Sequence, residues 1–202
     1  MNSFKLQPVD ILVNVNNRKD LFSRIKRWAV GPYDHVFMYM GEVRIVVHRR
    51  QGHILRFPLL FESNGRGVVI QSLSNRFGQQ VVVMRLKSEF DWKRIPRVLK
   101  EAVTLASDPK SHYDYFAIAR WVLPRVFMDK MPLWLAKLIP LQWQRDERQI
   151  CSEAVFEVFT RAKVPVLPDN VVPLPGDFVT DFVTDCLLLE EVWAGTLSGE
   201  LV

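Results

Sequence analysis

The chain has 202 residues, of which 49% are hydrophobic, and its 27 lysines and arginines exceed its 22 acidic residues by five. This length and apolar content suffice for one domain with its own core. No apolar stretch reaches the roughly 20 residues of a membrane-spanning helix, and two cysteines cannot build a disulfide framework. We therefore predict one compact domain that neither spans a bilayer nor depends on disulfide bonds.

The charge pattern argues against nucleic acid as a partner. The basic excess is modest and is spread along the chain, apart from one basic group at residues 18–27. Zinc-finger spacing and an aromatic RNA-binding signature are both missing from the sequence. The first ten residues lack the apolar run of a secretory signal peptide, and cysteine is scarce. We expect a cytoplasmic protein that does not bind nucleic acid.

The first half of the chain reads mostly as β-structure. Residues 8–13 predict a short strand, and apolar residues at helical spacing between 21 and 29 predict an amphipathic helix that ends at Gly31-Pro32. From His35 to Leu86 the pattern changes to short β-rich runs with turn signals between them: VFMYM, VRIVVH, HILRF, LLFES, VVIQSL and QVVVMRL. This half predicts an antiparallel meander.

The second half reads mostly as helix. Apolar residues spaced three and four apart predict a helix at about 91–106, and weaker patterns predict helices at 113–123 and 150–162. Residues 122–143 are apolar and basic but contain three prolines, which predicts short helices or a lid rather than one long helix. Cys186 lies in a predicted core strand at 184–189, so we interpret it as structural.

Cys151 is the candidate nucleophile, because it opens the helix predicted at 150–162. At a helix start the dipole and the free backbone N–H groups stabilise a thiolate. The same N–H groups are suited to hold an oxyanion. The alternative is a buried structural cysteine, which is the commoner role of a lone cysteine near an apolar face.

His35 and Glu62 are the candidate partners of that thiol. His35 follows the Gly31-Pro32 turn and begins an apolar strand, so its ring is expected at the edge of an element. Glu62 ends an apolar run directly before a glycine turn, as either a surface charge or the partner of an imidazole. Each residue taken alone is equally compatible with a structural role.

Six ordered segments resemble the successive motifs of a known enzyme family, the permuted papain-like enzymes of the YiiX-like branch of the NlpC superfamily. In chain order the segments are PVDIL from Pro8, DHVFMYMG from Asp34, FES from Phe61, GV from Gly67, YDY from Tyr113 and ICSEAV from Ile150. The Cys-Ser-Glu motif that opens a helix is the most specific of them. The resemblance spans roughly residues 8 to 178 and ends near a Pro-Gly-Asp segment at 175–177.

The resemblance implies both a fold and a set of roles. The family carries histidine, acidic residue and cysteine in that order, as His35, Glu62 and Cys151 stand here. The implied fold is α+β and circularly permuted papain-like: a partly barrel-like antiparallel sheet packs against the cysteine helix in one domain, 1–202. Two departures are Val9 where the family usually has glycine, and the Pro-rich insertion at about 122–143.

The implied function is a cysteine hydrolase, such as an amidase, peptidase or esterase, that works through a thioacyl intermediate. Tyr113, Tyr115 and Ser152 are the further candidates for oxyanion or substrate contacts. The remaining histidines lack ligand spacing, so no metal and no cofactor is expected.

Substrate and partners stay open at this point. Peptides, peptidoglycan-derived peptides and lipid acyl groups are all compatible with the resemblance. Two further functions remain as alternatives: a lipid acyltransferase with the same three residues, and a non-catalytic lipid- or peptide-binding module. The apolar, basic segment 122–143 has the composition of an interfacial helix, so peripheral membrane contact through it is a hypothesis.

Overall fold

A computed structural model describes residues 4–17, 31–48, 53–64, 67–87, 92–109, 151–167, 173–179 and 188–202. Within these ranges the fold is α+β, with one six-stranded antiparallel sheet and two α-helices. The strands are β1 Ile11–Val15, β2 Tyr33–His48, β3 His53–Asn64, β4 Gly67–Ser72, β5 Gln80–Leu86 and β6 Leu189–Thr196. The helices are α1 Ile95–Ala106 and α2 Cys151–Arg161.

The sheet has the strand order β4-β3-β2-β1-β5-β6. β1 is short but central, since it pairs with β2 on one side and with β5 on the other. Its residues Ile11, Leu12 and Val13 are fully buried, as expected for a strand that is covered on both faces. The antiparallel meander predicted from residues 35–86 is present for β2, β3 and β4, but the prediction is wrong for β5, which pairs with β1 and β6 on the other side of the sheet.

Two long strands replace four of the predicted short ones. The runs VFMYM and VRIVVH form the single strand β2, and HILRF and LLFES form β3. The sequence suggested a break at Gly41, where β2 instead contains a bulge: Tyr39 lies opposite Leu60, Gly41 lies opposite Leu59, and Met40 between them has no partner. Gly41 has a φ of +94°, a conformation that glycine adopts without steric cost and that bulges often need.

The two faces of the sheet carry separate hydrophobic clusters. One face packs against α1 and α2; its buried members include Val36, Met38, Phe61, Val155 and Phe159. The opposite face carries a second cluster, whose members are Leu6, Leu12, Phe37, Tyr39, Leu60, Leu73, Val81, Val83 and Leu197. Alternation along each strand assigns neighbouring residues to opposite clusters, so one sheet serves two cores.

Both helices agree with the sequence patterns. The helix predicted at about 91–106 begins at Ile95, after a 3₁₀ turn at Trp92–Arg94, with Pro96 in its first turn. Proline is tolerated there because the first helical N–H groups have no intrahelical acceptor. α2 covers most of the predicted range 150–162, and its buried side includes Ala154, Val155, Val158 and Phe159.

Val9 adopts a backbone conformation that explains the glycine of the resembled family. Its φ is +71° although it is β-branched and 2% exposed, and such a conformation is costly for any residue except glycine. Neighbouring contacts hold it in place: the Val9 N–H donates to the Tyr39 carbonyl, and the Tyr39 N–H donates to the Asp10 carbonyl, each at 2.8 Å. The Asp10 carboxylate is anchored in turn by Arg85, at 2.7 and 2.8 Å.

Several predicted elements lie outside the described residues. These are the helix at 21–29, the helix at 113–123, the segment 122–143 and most of the strand at 184–189 that contains Cys186. The described strand in that region, β6, begins at Leu189 and was not predicted. Across the described ranges, no helix is both long enough and apolar enough to cross a membrane.

Candidate active site

The candidate site lies where β2 and β3 separate. Their pairing runs from Met38 opposite Phe61 outward to the far ends of both strands. On the site side of Met38, β2 continues against β1, and beyond Phe61, β3 continues against β4. α2 contacts both β2 and β3, so the start of this helix and the separated strand ends meet at one place.

Cys151 is the first residue of α2 and is 7% exposed. Its sulfur accepts hydrogen bonds from the backbone N–H groups of Val36 and Ser152, and it is hydrogen-bonded to the side chain of His35. Val36 lies in the part of β2 that β3 does not pair with. The separation of the two strands thus gives the sulfur access to a strand N–H.

The imidazole of His35 connects the thiol to a buried carboxylate. Its Nε2 atom lies 2.7 Å from Oε2 of Glu62, whose side chain is fully buried. Since Nε2 is occupied by Glu62, the ring nitrogen left for the Cys151 thiol is Nδ1. The three residues predicted from the sequence are therefore brought together, in the order thiol, imidazole, carboxylate.

Three further side chains surround the Glu62 carboxylate. Nη2 of Arg76 lies 2.7 Å from Oε1 and 2.5 Å from Oε2, and the Asn64 amide donates to Oε1 at 3.1 Å. The Gln71 amide also donates to Oε1. A buried carboxylate with this many donors keeps its charge, because hydrogen bonds and the guanidinium offset the loss of water.

The pKa values of the three groups shift in a way that favours a charged pair. Burial lowers the pKa of His35, but the Cys151 thiolate and Glu62 outweigh it and raise that pKa from 6.5 to about 9. Burial raises the pKa of Cys151, but His35 and the N–H groups of Val36 and Ser152 bring it below its ordinary value of 9.0. Both shifts favour the thiolate–imidazolium form of the pair over the neutral form.

The pKa of Glu62 is also lowered. Burial alone would raise the pKa of this carboxyl, but its hydrogen bond and charge interaction with His35, followed by Asn64 and Arg76, hold it below the ordinary value of 4.5. Glu62 is therefore charged at neutral pH. The site combines an activated thiolate, a proton carrier and a fixed anion.

A metal ion does not fit the described residues of this site. Cysteine, histidine and glutamate are all metal-ligand types, but the ligands of one ion must converge on a point. Glu62 instead contacts Nε2 of His35, and the assignment of Nδ1 to the Cys151 thiol puts the carboxylate and the sulfur on opposite sides of the ring. Of the residues that the structure describes, no group of three or more His, Cys, Asp or Glu side chains is arranged to hold a metal.

The other predicted site residues divide into two groups. Ser152 is fully buried, and its hydroxyl donates to the Pro173 carbonyl at 2.6 Å, so this side chain ties α2 to residues 173–179. Its backbone N–H, rather than its hydroxyl, faces the reactive sulfur. Tyr113 and Tyr115 lie outside the described residues, and their role stays a prediction.

Sequence reasoning missed the donors around Glu62. Two of them had a usable signal: Asn64 is two residues from Glu62 on β3, and Gln71 lies opposite Leu60 across the β3–β4 pair. Alternation therefore places both on the face that carries Glu62. Arg76 had no such sequence signal. It belongs to the 3₁₀ turn Leu73–Arg76 that follows β4, and strand alternation does not predict the path of such a turn.

Comparison with known proteins supports the fold. The structure is similar to the crystal structure of metalloprotein yiiX from Escherichia coli O157:H7, with a TM-score of 0.58 and 18% sequence identity. The match covers 96% of this chain and 100% of that one. The sequence matches no family model and no curated protein. This chain has a YiiX-like fold. Identity at this level speaks to the fold alone.

Proposed function

We propose that this protein is a cysteine hydrolase in which Cys151 is the nucleophile, His35 is the general base and acid, and Glu62 holds the imidazole. The observation that carries the proposal is the His35 ring, which lies between the Cys151 thiol and the buried Glu62 carboxylate. A structural cysteine needs no such arrangement. A thiol nucleophile needs all of it: a lowered pKa, a proton acceptor and a group that orients the acceptor.

The mechanism follows from the charges of the pair. The Cys151 thiolate attacks an amide or ester carbonyl, and the developing oxyanion is stabilised by N–H groups at the start of α2. The His35 imidazolium donates its proton to the leaving amine or alcohol, which leaves a thioacyl enzyme. Neutral His35 then takes a proton from water, and the resulting hydroxide attack releases the acid and the thiolate.

The finer fold assignment belongs to the same proposal. A circular permutation of the papain-like fold explains why the histidine and carboxylate strands precede the cysteine helix in the chain. The YiiX-like architecture and the packing of α2 against β2 and β3 support it. On this proposal the chain is a single domain of the NlpC superfamily, and residues 122–143 are an insertion that shapes substrate access.

The test is labelling by activity-based electrophiles. A panel of acyl and peptidyl electrophiles is applied to the folded protein, and the modified residue is mapped by mass spectrometry. We expect modification at Cys151 in the parent and in the control variant Cys186→Ser, and none in Cys151→Ala. Labelling that persists in Cys151→Ala would overturn the assignment of the nucleophile.

Turnover of the best substrate then separates the roles. His35→Ala should lose nearly all activity, since the thiol loses its proton acceptor. Glu62→Gln keeps the shape but not the charge, so we expect a loss of roughly ten- to a thousandfold. The double variant His35→Ala with Cys151→Ala should be hardly worse than Cys151→Ala alone, because the residues act as a unit.

Product analysis tests the two alternatives that share this site. An acyltransferase passes the acyl group from the thioester to an amine or alcohol, so it yields an acylated acceptor instead of the free acid. A binding module yields neither product and shows no covalent thioester. The proposal of a hydrolase requires the free acid, released with water as the acceptor.

A metal-dependent function is the competing proposal, because the similar yiiX protein is called a metalloprotein. The opposite placement of Glu62 and Cys151 about the His35 ring counts against it. Elemental analysis of the purified protein, with Cys151→Ala and His35→Ala as comparisons, decides the matter. A bound metal at one equivalent that both substitutions remove would replace the hydrolase proposal.

A further inference from the structure

The β2–β3 hairpin carries an exposed apolar surface beyond the body of the sheet. We call the outer halves of the two strands, residues 43–48 of β2 and 53–57 of β3, the arm. In the arm Val43 lies opposite Phe57, Arg44 opposite Arg56, and Ile45 opposite Leu55. Directly opposed residues of an antiparallel pair share a face, so one face of the arm is apolar, and the other carries Arg44, Arg56 and Ile54, which is 53% exposed.

The apolar face is open to solvent. Val43 is 45% exposed, Ile45 50%, Leu55 49% and Phe57 39%. Strand alternation along β3 places this face on the same side as Phe61, which is covered by the helices. The side that is buried in the body of the protein thus continues along the arm without cover. Four adjoining exposed apolar side chains mark a site of interaction.

The opposite face carries two arginines. Arg44 and Arg56 are both exposed and directly opposed, although like charges in that arrangement are unfavourable. Glu42 shares this face by strand alternation, but it lies opposite Pro58 and is only partly exposed. An anionic partner would relieve the repulsion between the two guanidinium groups.

We propose that the arm docks on an anionic lipid surface. Its apolar side chains enter the interface between headgroups and acyl chains, and its arginines contact the lipid phosphates. A nucleic acid would satisfy the arginines but not the apolar face. A second copy would cover the apolar face but bring like charges together, and four partly exposed side chains fall well short of the roughly 800 Å² per partner of a stable interface.

Docking at the arm places the candidate active site away from the lipid. Ten residues of the single strand β2 separate His35 from Ile45, which at a rise of about 3.3 Å per residue places them roughly 30 Å apart along the strand. The arm is therefore a tether rather than a route for a lipid into the site. It would hold the enzyme near substrates that stand off the membrane surface.

Vesicle co-sedimentation of the full chain tests the proposal. Vesicles of phosphatidylcholine alone are compared with vesicles that also contain phosphatidylglycerol. We expect much tighter binding to the anionic vesicles, and we expect it to weaken as the salt rises from about 0.1 M to about 1 M, which shortens the Debye length from about 10 Å to about 3 Å. Equal binding to both vesicle types would overturn the role of charge.

Two paired variants locate the binding surface. Arg44→Gln with Arg56→Gln should weaken binding about thirtyfold, because each arginine near an anionic surface contributes about fivefold. Ile45→Ser with Leu55→Ser should remove the binding that survives high salt. The matched controls are Lys100→Gln and Val103→Ser, which change an exposed cation and an exposed apolar residue of α1. They should bind like the parent.

Four outcomes would overturn the proposal. Undiminished vesicle binding in both paired variants would place the contact elsewhere, for example in residues 122–143. A sedimentation coefficient that falls on Ile45→Ser with Leu55→Ser would show a second copy on the apolar face. A melting temperature lowered by more than about 5 °C in that variant would show that the face packs against the chain itself. Arginine-dependent binding of duplex DNA or RNA without vesicle binding would assign the arm to nucleic acid.

Discussion

His35 interacts with two groups that both favour its protonated form. The Cys151 thiolate and the Glu62 carboxylate contact opposite sides of one ring, and together they raise its pKa to about 9 despite burial. The same coupling lowers the pKa of the thiol. The thiol and imidazole therefore titrate as a pair, with two macroscopic steps that belong to neither residue alone.

The first prediction concerns the pH dependence of Cys151 alkylation. The iodoacetamide rate should rise at a pH well below 9.0, where the coupled thiolate forms, and change again near pH 9, where the imidazolium loses its proton. His35→Ala should leave one step, shifted upward, because burial then acts on the thiol without an opposing charge. Glu62→Gln should lower the upper step, since a negative charge beside the ring is lost.

Mass-spectrometric quantification of each cysteine provides the measurement. Cys186 serves as the internal reference, and near neutral pH it should react much more slowly than Cys151. A single step near pH 9 in both the parent and His35→Ala would contradict the coupling. Faster modification of Cys186 in the folded protein would contradict the choice of nucleophile.

Arg76 links the carboxylate to the part of the fold that the sequence did not predict. Its guanidinium contacts both Glu62 oxygens and also lies 3.2 Å from Nε2 of His35. The Cζ atom of the guanidinium lies over the Phe37 ring, 5.8 Å from the ring centroid. These contacts fix Glu62 against the imidazole, so we interpret Arg76 as a positioning residue that acts through Glu62.

The second prediction is that Arg76→Ala destabilises the protein by about 2 kcal/mol at neutral pH. Breaking a buried pair costs about 3 to 5 kcal/mol, but Arg76 is 22% exposed and Glu62 keeps other donors. Glu62 has a lowered pKa, so its contribution is complete above pH 4.5 and is lost as the pH falls through the folded-state pKa. The effect of the substitution should shrink over that same range.

Urea unfolding at a series of pH values measures this effect. Arg161→Ala is the matched control, because Arg161 forms an exposed helical ion pair with Glu157 at 2.9 Å, which is worth only about 0.3 to 0.5 kcal/mol. An Arg76→Ala loss no larger than that of the control would show that Glu62 does not depend on the guanidinium.

At the scale of single elements, α2 ends in a well-defined motif. The Lys163 N–H donates to the Thr160 carbonyl and the Val164 N–H donates to the Phe159 carbonyl, each at 2.9 Å. Lys163 has a φ of +60°. This pattern is a Schellman motif, in which glycine usually occupies the left-handed position. The buried Val164 supplies the hydrophobic contact that accompanies it.

The third prediction is that Lys163→Gly stabilises the protein by about 1 kcal/mol. Glycine removes the steric cost of a left-handed conformation, which is about 1 to 2 kcal/mol for other residues, and loses part of this gain to the greater freedom of its unfolded chain. The exposed side chain contributes little packing, and the carbonyl that accepts from Arg94 is retained. Thermal melting measures the change, with Lys163→Ala as the control that keeps the Cβ atom.

If neither variant melts at a higher temperature than the parent, the left-handed conformation carries no strain here. If both variants gain the same stability over the parent, the gain comes from the lost charge, because both substitutions remove the lysine.

Element type was more predictable than element extent. The β-rich runs of β4 and β5 and the helical spacing in α1 are local patterns, and each gave the element at close to its observed bounds. β3 appeared as two strands because Pro58 interrupts its apolar run. β2 appeared as two because Gly41 reads as a turn when its partner strand is unknown. The bulge that accommodates it depends on pairing with Leu59 and Leu60, which is a tertiary contact.

The candidate site also combines residues that have a local sequence signal with contacts that depend on the tertiary fold. Cys151 and His35 carry local signals, a helix start and a strand start, and a family resemblance joined them to Glu62. The separation of β2 from β3 has no local signal, yet it places the Val36 N–H beside the sulfur. Arg76 was missed for the related reason that its turn folds back across the sheet. The roles proposed for Tyr113 and Tyr115 stay predictions.

At the scale of the whole molecule, two hydrophobic clusters share one sheet. Leu73 belongs to one cluster and Phe159 to the other, and both are fully buried. β1 to β3 and β5 contribute residues to both clusters, so loss of one cluster removes support from the strands of the other. We therefore expect the clusters to unfold together, as a single domain requires.

The fourth prediction is that Leu73→Ala and Phe159→Ala each shift one common unfolding transition. The expected costs are about 2 to 5 kcal/mol for the leucine and about 3 to 5 kcal/mol for the phenylalanine. Far-UV circular dichroism and tryptophan fluorescence should report the same urea midpoint in the parent and in both variants. Separate midpoints in any of the three would show that the two clusters are independent units.

The register of the arm also makes it removable. Val43 and Phe57 lie directly opposite each other, so a two-residue Asn-Gly turn is the right length to join them once the residues between are deleted. The bulge at Met40 and every strand pair on the site side of it lie outside such a deletion. A shortened protein of this kind should keep the proposed hydrolase activity and lose the proposed membrane contact, so that the two could be studied separately.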